Sequence, residues 1–301
     1  MSGPSTNVLS AGELRAEFWP AAGMLGASLR FREVELLRRV EDLEGARFKG
    51  STAGIPLLYP WANRLSGLRY RVDGRDVSLD PRSRNLHFDD HKLPMHGVPW
   101  SLLQWELISC DADALTARLD WVSRELLAIF PFPHHVEMAV RLRDFELEIR
   151  TTVFADAGSP VPISFGFHPY FGLPGTPRAE WTLSAPTMRK LVLDARGIPT
   201  GAEIVSDALV ARLGNTGYDD GFALSGEKAG FSIEGNGYAI AVEFIDGFEF
   251  AQIFAPRDKE FIAIEPMTAE TNALCSGKGL RVIAAGEQFS ASFRIEVSRH
   301  A

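Results

Sequence analysis

Apolar and polar residues alternate with a period of two in segments spread along the whole chain. Residues 115–121 alternate in this way, from Leu115 to Trp121. Residues 289–297, near the C-terminus, follow the same pattern. A period of two is typical of a strand with one buried face. Both segments are therefore predicted to be strands.

Two hairpins are predicted from the turns between such segments. Asp73-Gly74 separates residues 68–72 from residues 76–79, and Asp-Gly is a favoured two-residue hairpin turn. A second apolar series, residues 136–142, changes parity and continues at residues 145–149. Because residues that flank a two-residue turn share a face, we expect this turn at Arg143-Asp144.

Helical patterns are scarce. The best candidates, residues 13–17 and 36–43, are short, and neither begins at a clear capping residue. Loops at residues 80–99 and 169–178 are rich in Pro, Gly, His and Asp, and such loops often carry functional sites. With no repeat or linker in view, the pattern predicts an all-β protein. We expect a single domain spanning residues 1–301, built as a large antiparallel β-sandwich.

Composition and charge narrow the function classes. The 301 residues include 27 Gly and 18 Pro, which favours many turns and short strands. Lys plus Arg number 31 against 39 Asp plus Glu, for a net charge of −8. A negative field repels phosphate backbones and anionic lipids, so neither nucleic acid nor a membrane is expected as a partner.

The cellular setting follows from what the sequence lacks. No segment approaches the ~18 apolar residues that span a bilayer, and the N-terminus shows no secretory signal. Cys110 and Cys275 form neither a C-x-x-C motif nor a disulfide framework. We expect a cytoplasmic protein, a monomer or a homodimer, with both thiols buried or half-buried.

Five segments place a titratable or polar group beside aromatic, Gly or Pro residues; they are residues 61–64, 95–100, 165–171, 217–222 and 264–268. Each has a structural explanation when taken alone. His168, among aromatic residues, could be a hydrogen-bonded core histidine, and Asp219 could form an Asx turn. Glu265 stands where an apolar residue would continue a buried strand, so its carboxylate must be functional or paired, for example with Arg64.

Together these segments resemble the aldose 1-epimerases, also called galactose mutarotases. The resemblance covers about residues 20–297. It rests on Asn63-Arg64, His96-Gly97, His168-Pro169-Tyr170-Phe171, Gly217-Tyr218-Asp219, Gln252 before Ile253-Phe254, and Glu265-Pro266-Met267-Thr268, in the order found in the family. It implies the β-supersandwich fold of the galactose mutarotases, with a sugar bound in an open cleft.

Exchange of α and β anomers requires a proton to leave the C1 hydroxyl and another to reach the ring oxygen, so that the ring opens to an aldehyde. A carboxylate and a histidine suffice for these proton transfers, so no metal or other cofactor is expected. By resemblance, Glu265 is the general base and His168 the general acid. An ordinary histidine pKa of about 6.5 would let His168 exchange its proton near neutral pH.

The resemblance also implies roles in binding the sugar. His96 would donate a second hydrogen bond to the ring oxygen, Arg64 would orient the sugar and Glu265, and Asp219 would accept bonds from hydroxyls. Asn63 and Gln252 would line the cleft, and Trp61 or Phe222 would stack on the sugar. The second carboxylate, Asp220, stands where many relatives have His, and it is expected to affect which hydroxyl pattern is preferred.

Three other functions remain open. A hexose 6-phosphate epimerase would need cations at the far end of the sugar, for which Arg69, Arg71 and Lys92 are candidates. A non-catalytic sugar-binding protein would need no acid and base pair. A metal hydrolase would use His87 and His91, which have the i, i+4 spacing of a zinc pair but lie in a segment without helical patterning. The adjacent His134 and His135 would point to opposite faces of a strand.

Overall fold

The computed structural model describes residues 6–39, 53–226 and 228–299. The strands, in chain order, are β1 (Asn7–Ala11), β2 (Leu14–Trp19), β3 (Leu25–Phe31), β4 (Val34–Glu35), β5 (Leu57–Leu58), β6 (Arg69–Val72), β7 (Arg75–Ser78), β8 (Glu106–Cys110), β9 (Ala114–Trp121), β10 (His134–Arg143), β11 (Glu146–Ala155), β12 (Val161–Ile163), β13 (Gly166–Phe167), β14 (Tyr170–Phe171), β15 (Thr182–Ala185), β16 (Met188–Leu193), β17 (Pro199–Ser206), β18 (Leu209–Arg212), β19 (Tyr218–Leu224), β20 (Ala229–Gly235), β21 (Tyr238–Asp246), β22 (Phe250–Ala255), β23 (Ile262–Met267), β24 (Arg281–Ile283) and β25 (Gln288–Arg299). The helices among these residues are short; they are α1 (Arg124–Leu127), α2 (Ala273–Ser276) and the 3-10 turns Pro20–Ala22, Trp100–Leu102 and Arg178–Glu180.

Two large antiparallel sheets dominate the described part of the chain. One has nine strands in the order β18-β15-β20-β21-β25-β11-β10-β9-β8. The other has eight: β17-β16-β19-β22-β23-β13-β5, with β14 also pairing with β23. A smaller sheet, β1-β2-β3-β4, and the ribbons β6-β7 and β12-β24 complete the arrangement. The predicted all-β antiparallel architecture is therefore confirmed.

The inner faces of the two large sheets share one apolar core. Buried and more exposed residues alternate along β10 and β11, so each strand turns one face inward. Phe167 of β13 packs against Phe293 of β25 with ring centroids 5.0 Å apart. Side chains of this size each contribute about 1.5–3 kcal/mol when buried. The core therefore holds the eight-stranded sheet as a rigid base for its opposite face.

The two predicted hairpins form, one of them with a different turn. Asp73 and Gly74 both adopt positive φ, 49° and 75°, as a type I′ turn between β6 and β7 requires. In the β10-β11 hairpin, Arg143 pairs with Glu146. The turn is therefore residues 144–145, one residue later than predicted. Phe145 is 49% exposed and packs against Phe31. It therefore belongs to the turn and is not the first residue of the strand.

The prediction of helices was wrong where the structure tests it. Residues 14–17 belong to β2, where buried Leu14 and Ala16 alternate with more exposed neighbours. A window this short fits either period, and pairing with β1 and β3 decides the outcome. Residues 36–39 are not helical, and Leu37 instead bridges to Phe171. Residues 40–43 of the second candidate lie outside the described residues.

Both cysteines have free thiols. Cys275 is half-buried, as expected, but Cys110 is exposed because it ends β8, an edge strand of the nine-stranded sheet. Among the described residues, no helix is long and apolar enough to cross a membrane.

Candidate functional site

A cavity of about 440 Å³ opens on the outer face of the eight-stranded sheet. All seven residues singled out for catalysis or binding line it: Asn63, Arg64, His96, His168, Asp219, Gln252 and Glu265. Cavities of this size are typical of small-molecule sites. The structure thus brings together residues that lie some 200 positions apart in the chain.

Strand pairing places three of these polar groups side by side. Gln252 of β22 pairs with Glu265 of β23 on one side and with Gly221 of β19 on the other. Asp219 lies two residues before Gly221, so all three polar side chains share one face. The Gln252 amide donates a 2.7 Å hydrogen bond to Asp219 Oδ1. A Cβ on residue 221 would lie 3.1 Å from Gln252 Oε1, so the glycine leaves room for this amide.

His168 reaches Glu265 from the other neighbouring strands. Strands β13 and β14 both pair with β23 in one continuous register, which places the intervening His168 opposite Glu265. His168 Nε2 lies 3.1 Å from Glu265 Oε1. The Tyr170 ring stacks on the imidazole with centroids 4.1 Å apart. His168 and Glu265 are only 5% and 2% exposed, so the pair faces the cavity with little bulk water around it.

Burial shifts the pKa of both groups toward the uncharged form. It raises the pKa of Glu265 well above its usual range, the charge of Asp219 acts in the same direction, and the charge of Arg64 opposes them. It lowers the pKa of His168 to about 3, and the charge of Arg38 adds to this effect. The expectation of an ordinary histidine pKa was therefore wrong, because the fold removes the imidazole from water. Both shifts favour the uncharged forms, a protonated Glu265 beside a neutral His168.

Asn63 and His96 hold each other through reciprocal hydrogen bonds. Both adopt left-handed backbone conformations, with φ of 57° and 61°. The backbone N–H of Asn63 donates to His96 Nδ1 at 3.1 Å, and the backbone N–H of His96 donates to the Asn63 carbonyl at 2.9 Å. Burial first, and then the charges of His168 and Arg64, lower the pKa of His96 well below its usual range. The neutral imidazole therefore carries its proton on Nε2, as a hydrogen-bond donor.

The guanidinium of Arg64 is oriented by a loop carboxylate. Its Nε donates to Asp89 Oδ2 at 2.7 Å, and its Nη1 donates to Asn63 Oδ1 at 3.0 Å. Asp89 Oδ1 in turn accepts the backbone N–H groups of His91 and Leu93, both at 2.9 Å. The suggested structural pairing of Arg64 with Glu265 is not observed, because Asp89 takes this role.

The aromatic wall of the cavity differs from the one predicted. Trp61 and Phe222 are 0% and 4% exposed and belong to the apolar core, so neither can stack on a ligand. Phe222 follows Gly221 and therefore points to the opposite face of β19. Tyr170, Phe254, Phe261 and Trp100 line the cavity instead. Phe254 lies two residues after Gln252, and Phe261 lies four residues before Glu265. Since residues an even number apart share a face of a strand, the alternation in the sequence could have predicted both rings beside the polar groups.

Four further polar residues of the cavity were missed as binding groups: Arg38, His87, Ser101 and Lys259. Arg38 and Lys259 stand in segments without a distinguishing pattern. Asp220 does not line the cavity, and its carboxylate pairs with Lys190 at 2.7 Å. The suggested phosphate-binding cations Arg69, Arg71 and Lys92 are likewise not among the lining residues.

The zinc-like histidine spacing does not form a metal site. His87 lines the cavity, whereas His91 lies on an exposed turn. In the described ranges 6–39, 53–226 and 228–299, no group of three or more His, Cys, Asp or Glu residues is placed to hold a metal ion. His134 is buried against Tyr59, while His135 stacks on Phe154. These two side chains point to opposite faces of β10, as predicted.

Comparison with known proteins indicates the family and the fold of the chain. A family model described as aldose 1-epimerase matches residues 27–296. The uncharacterised Escherichia coli protein YphB is 32% identical over 116 residues, 38% of this chain and 36% of that protein, so the match spans about a third of its length. A galactose mutarotase-like protein from Clostridium acetobutylicum superposes with a TM-score of 0.82 at 18% identity, covering 97% of this chain and 94% of the other. A galactose 1-epimerase from Lactobacillus acidophilus gives a TM-score of 0.78 at 13% identity, covering 97% and 93%.

Proposed function

The chain belongs to the aldose 1-epimerase family, and from this premise we propose that it interconverts the α and β anomers of an aldose that carries no phosphate. The observation that carries the proposal is the contact between His168 Nε2 and Glu265 Oε1, 3.1 Å apart in the wall of a 440 Å³ cavity. Anomer exchange needs one proton acceptor and one proton donor close together. This pair supplies both.

In the proposed ring opening, the starting state is the uncharged pair, a protonated Glu265 and a neutral His168. Transfer of the proton from Glu265 to His168 creates the carboxylate and the imidazolium. The carboxylate then takes the proton of the C1 hydroxyl, the C1–O5 bond breaks as the C1 carbonyl forms, and His168 gives its proton to O5. The pair again holds one proton, now on Glu265, so no proton enters or leaves the site.

Ring closure reverses these transfers after rotation about the C1–C2 bond. The face of the carbonyl that O5 attacks decides which anomer forms. Because the pair carries one proton before and after each half-reaction, the same two residues serve both directions. The pair is either two uncharged groups or a carboxylate beside an imidazolium, and its net charge is zero in both states. A buried site disfavours an isolated charge, so both states suit this cavity.

The remaining residues of the cavity would bind and orient the sugar. His96 would donate through Nε2–H to the ring oxygen, and Asp219 would accept from a sugar hydroxyl. Gln252 and Asn63 present amide groups, and Arg64, oriented by Asp89, would donate to further sugar oxygens. The aromatic wall would contact the apolar face of the ring, which is a common way of binding sugars through C–H groups and aromatic faces.

The proposal is tested with the Glu265→Gln variant. The amide keeps the shape of the side chain but cannot accept the C1 proton, so kcat should fall by about 10²–10⁴-fold while sugar binding persists. Anomer exchange is measured by NMR magnetisation transfer across a panel of aldohexoses and aldopentoses, with binding measured by calorimetry. Glu106→Gln, an exposed carboxylate on β8, is the matched control and should exchange anomers at the wild-type rate.

Two outcomes would overturn the proposal in different ways. Turnover by Glu265→Gln at nearly the wild-type rate would exclude Glu265 as the base. Tight binding of sugars by the wild type without faster anomer exchange would indicate a non-catalytic sugar-binding protein on the same fold.

A further inference from the structure

One end of the cavity carries positive charge that the proposed chemistry does not use. Arg38 and Lys259 both line the cavity. Arg38 lies over the ring of Phe261 and Lys259 precedes Phe261 by two residues, so we call these two residues the cationic end. The chain as a whole has a net charge of −8, so cations at a cavity rim are not a consequence of composition. Arg64 is a different case, since Asp89 already neutralises it at 2.7 Å.

Arg38 is held in position by its backbone and by aromatic rings. Its N–H donates to the Tyr170 carbonyl at 3.0 Å, and its carbonyl accepts the N–H of Gly54 at 2.8 Å. The guanidinium carbon lies 4.9 Å from the ring centroid of Phe261 and 5.8 Å from that of Tyr170. Stacking on aromatic rings restricts an arginine and leaves its N–H edge available for an oxyanion.

Among the described residues, the carboxylates near the cationic end either bind other groups or form a weak ion pair with Lys259. No carboxylate within the described ranges forms an ion pair with Arg38. Glu260, next to Phe261, accepts the backbone N–H of Arg178 at 2.8 Å. Lys259 pairs with its neighbour Asp258 at 3.0 Å, and both side chains are more than half exposed, so this pair costs little to open.

The cationic end lies beyond His168 as seen from Glu265. Phe261 precedes Glu265 by four residues and faces the same side of the extended chain, a separation of about 13 Å at the rise of a strand. Between them the wall runs from His168 through Tyr170, stacked at 4.1 Å, to Phe261, whose ring centroid is 5.2 Å from that of Tyr170. Arg38 covers the far end of this row.

The connectivity of a pyranose relates this geometry to the substrate. The ring oxygen is bonded to C1 and to C5, and C5 carries the exocyclic C6 group. If Glu265 serves the C1 hydroxyl and His168 serves the ring oxygen, the C6 group extends from the ring oxygen away from Glu265. It then runs along the aromatic row toward Arg38.

We propose that the substrate is an acidic aldose whose C6 group is a carboxylate, a singly charged oxyanion, bound by Arg38 with support from Lys259. This inference rests on the proposed function. A singly charged group fits one guanidinium that two aromatic rings restrain, and a guanidinium binds oxyanions through two parallel N–H groups. A phosphate dianion would call for a second cation restrained in the same way, whereas Lys259 is shared with Asp258.

An anion at Arg38 would also assist the proton transfer. The positive charge of Arg38 contributes to lowering the pKa of His168. A bound carboxylate offsets this charge, so the imidazolium that protonates the ring oxygen becomes easier to form. The acidic group should therefore increase kcat as well as affinity.

The experiment measures anomer exchange and binding for glucose, galactose, glucuronate, galacturonate and glucose 6-phosphate at low ionic strength. The wild type should process the uronates with a kcat/KM at least about tenfold above that of the matching hexoses, the effect of one charge-assisted hydrogen bond. In Arg38→Gln, the ratio of kcat/KM for uronate over hexose should fall about tenfold. Arg38→Lys should give an intermediate ratio, and Lys259→Gln a smaller decrease.

Arg71→Gln is the matched control, because Arg71 is an exposed arginine on β6 that pairs with Asp76 and does not line the cavity. It should keep the wild-type ratio. Turnover of neutral hexoses without preference for uronates would overturn the acidic-substrate inference and leave the epimerase proposal standing. Preference for glucose 6-phosphate would overturn both the singly charged group and the absence of phosphate. If no aldose is processed, the epimerase proposal fails, and calorimetry decides the inference: glucuronate must bind to the wild type and at least tenfold more weakly to Arg38→Gln.

Discussion

Asp89 holds Arg64 from 25 residues further along the chain, through a 2.7 Å hydrogen bond from the guanidinium Nε to Oδ2. The other carboxylate oxygen of Asp89 accepts the two backbone N–H groups that shape its own turn. One side chain thus fixes both a loop and Arg64, one of the cations that line the cavity. The position of Arg64, and not only its charge, is therefore a property of the fold.

We expect Asp89→Asn to lower kcat/KM by about tenfold or more, because Arg64 loses a charge-assisted bond while the amide oxygen can still accept the backbone N–H groups. The loss should appear mainly in KM, since Arg64 is proposed to bind sugar oxygens. Steady-state kinetics by NMR exchange and a thermal melt check this. Asp80→Asn is the control, because Asp80 makes the same kind of contacts with Arg82 on an exposed loop. Equal losses in both variants would contradict a specific role for Asp89.

The pH dependence of turnover should reflect a pair that holds one proton over a wide range. Ordinary Glu and His groups would hold one proton between about pH 4.3 and 6.5. Burial raises the pKa of Glu265 and lowers that of His168 to about 3, so the range widens on both sides. We expect kcat/KM to stay level as the pH rises through 6.5 and to fall only at higher pH, when the pair loses its proton. Rates are measured from pH 4 to 10 after subtracting the spontaneous exchange at each pH, and a decline centred near 6.5 would contradict the shifted pair.

The stability of the protein should depend on pH through His168. Its folded-state pKa, about 3, lies below the unfolded value of about 6.5. At His168 the unfolded chain therefore binds a proton that the folded protein does not bind there, and the contribution of this group to stability is present above pH 6.5 and is lost as the pH falls. The loss is about 1.4 kcal/mol per pH unit.

The free energy of unfolding measured in urea at pH 7 and pH 5 checks this dependence on His168. The decrease between the two should be about 2 kcal/mol smaller in His168→Gln than in the wild type. His91→Gln, an exposed histidine, should behave as the wild type. An unchanged pH dependence in His168→Gln would contradict the lowered pKa.

Gly97 allows the loop that carries His96 to pack on the backbone of residue 59. Its φ is +66°, and a Cβ at this position would lie 2.2 Å from the Tyr59 carbonyl oxygen. We expect Gly97→Ala to lower the free energy of unfolding by about 3 kcal/mol or more. Gly74→Ala separates the effect of the positive φ from that of the close approach, since Gly74 has φ of +75° but nothing within 4 Å of an added Cβ. This variant should lower the free energy of unfolding by about 1–2 kcal/mol. Urea titration measures both, and similar losses would show that the close approach is unimportant.

The sequence predicted the sheets better than the details of their connections. Alternation identified the strands now assigned as β9, β10, β11 and β25, because a half-buried strand must place every second residue in the core. It misplaced the turn at residues 144–145, since a turn is set by which residues pair, and parity alone allows neighbouring registers. A short helical pattern also suggested a helix at residues 13–17, where pairing with two neighbouring strands overrides a weak local preference.

The candidate site was predicted as a set of residues but not as an arrangement. Glu265 stood out because a carboxylate in an apolar run must be paired or functional. The expected stacking by Trp61 and Phe222 was wrong because nearness in sequence to a polar residue does not show which face a side chain occupies, and both side chains lie in the apolar core. Arg38 and Lys259 carried no local signal of a binding role, and Asp89 was indicated only as part of the loop at residues 80–99, since the importance of all three comes from residues distant in the chain.

The sequence by itself determined which residues alternate into strands, which polar groups are available for acid and base chemistry, and the order of motifs that relates the chain to its family. These are properties of neighbouring residues and of composition. Only the tertiary structure decided that His168 lies opposite Glu265, that Asp89 accepts a hydrogen bond from Arg64, and that Arg38 lies at the far end of the aromatic row. It also decided that the pKa values of Glu265 and His168 shift toward the uncharged forms, because a pKa depends on how completely distant segments of the chain exclude water from a group.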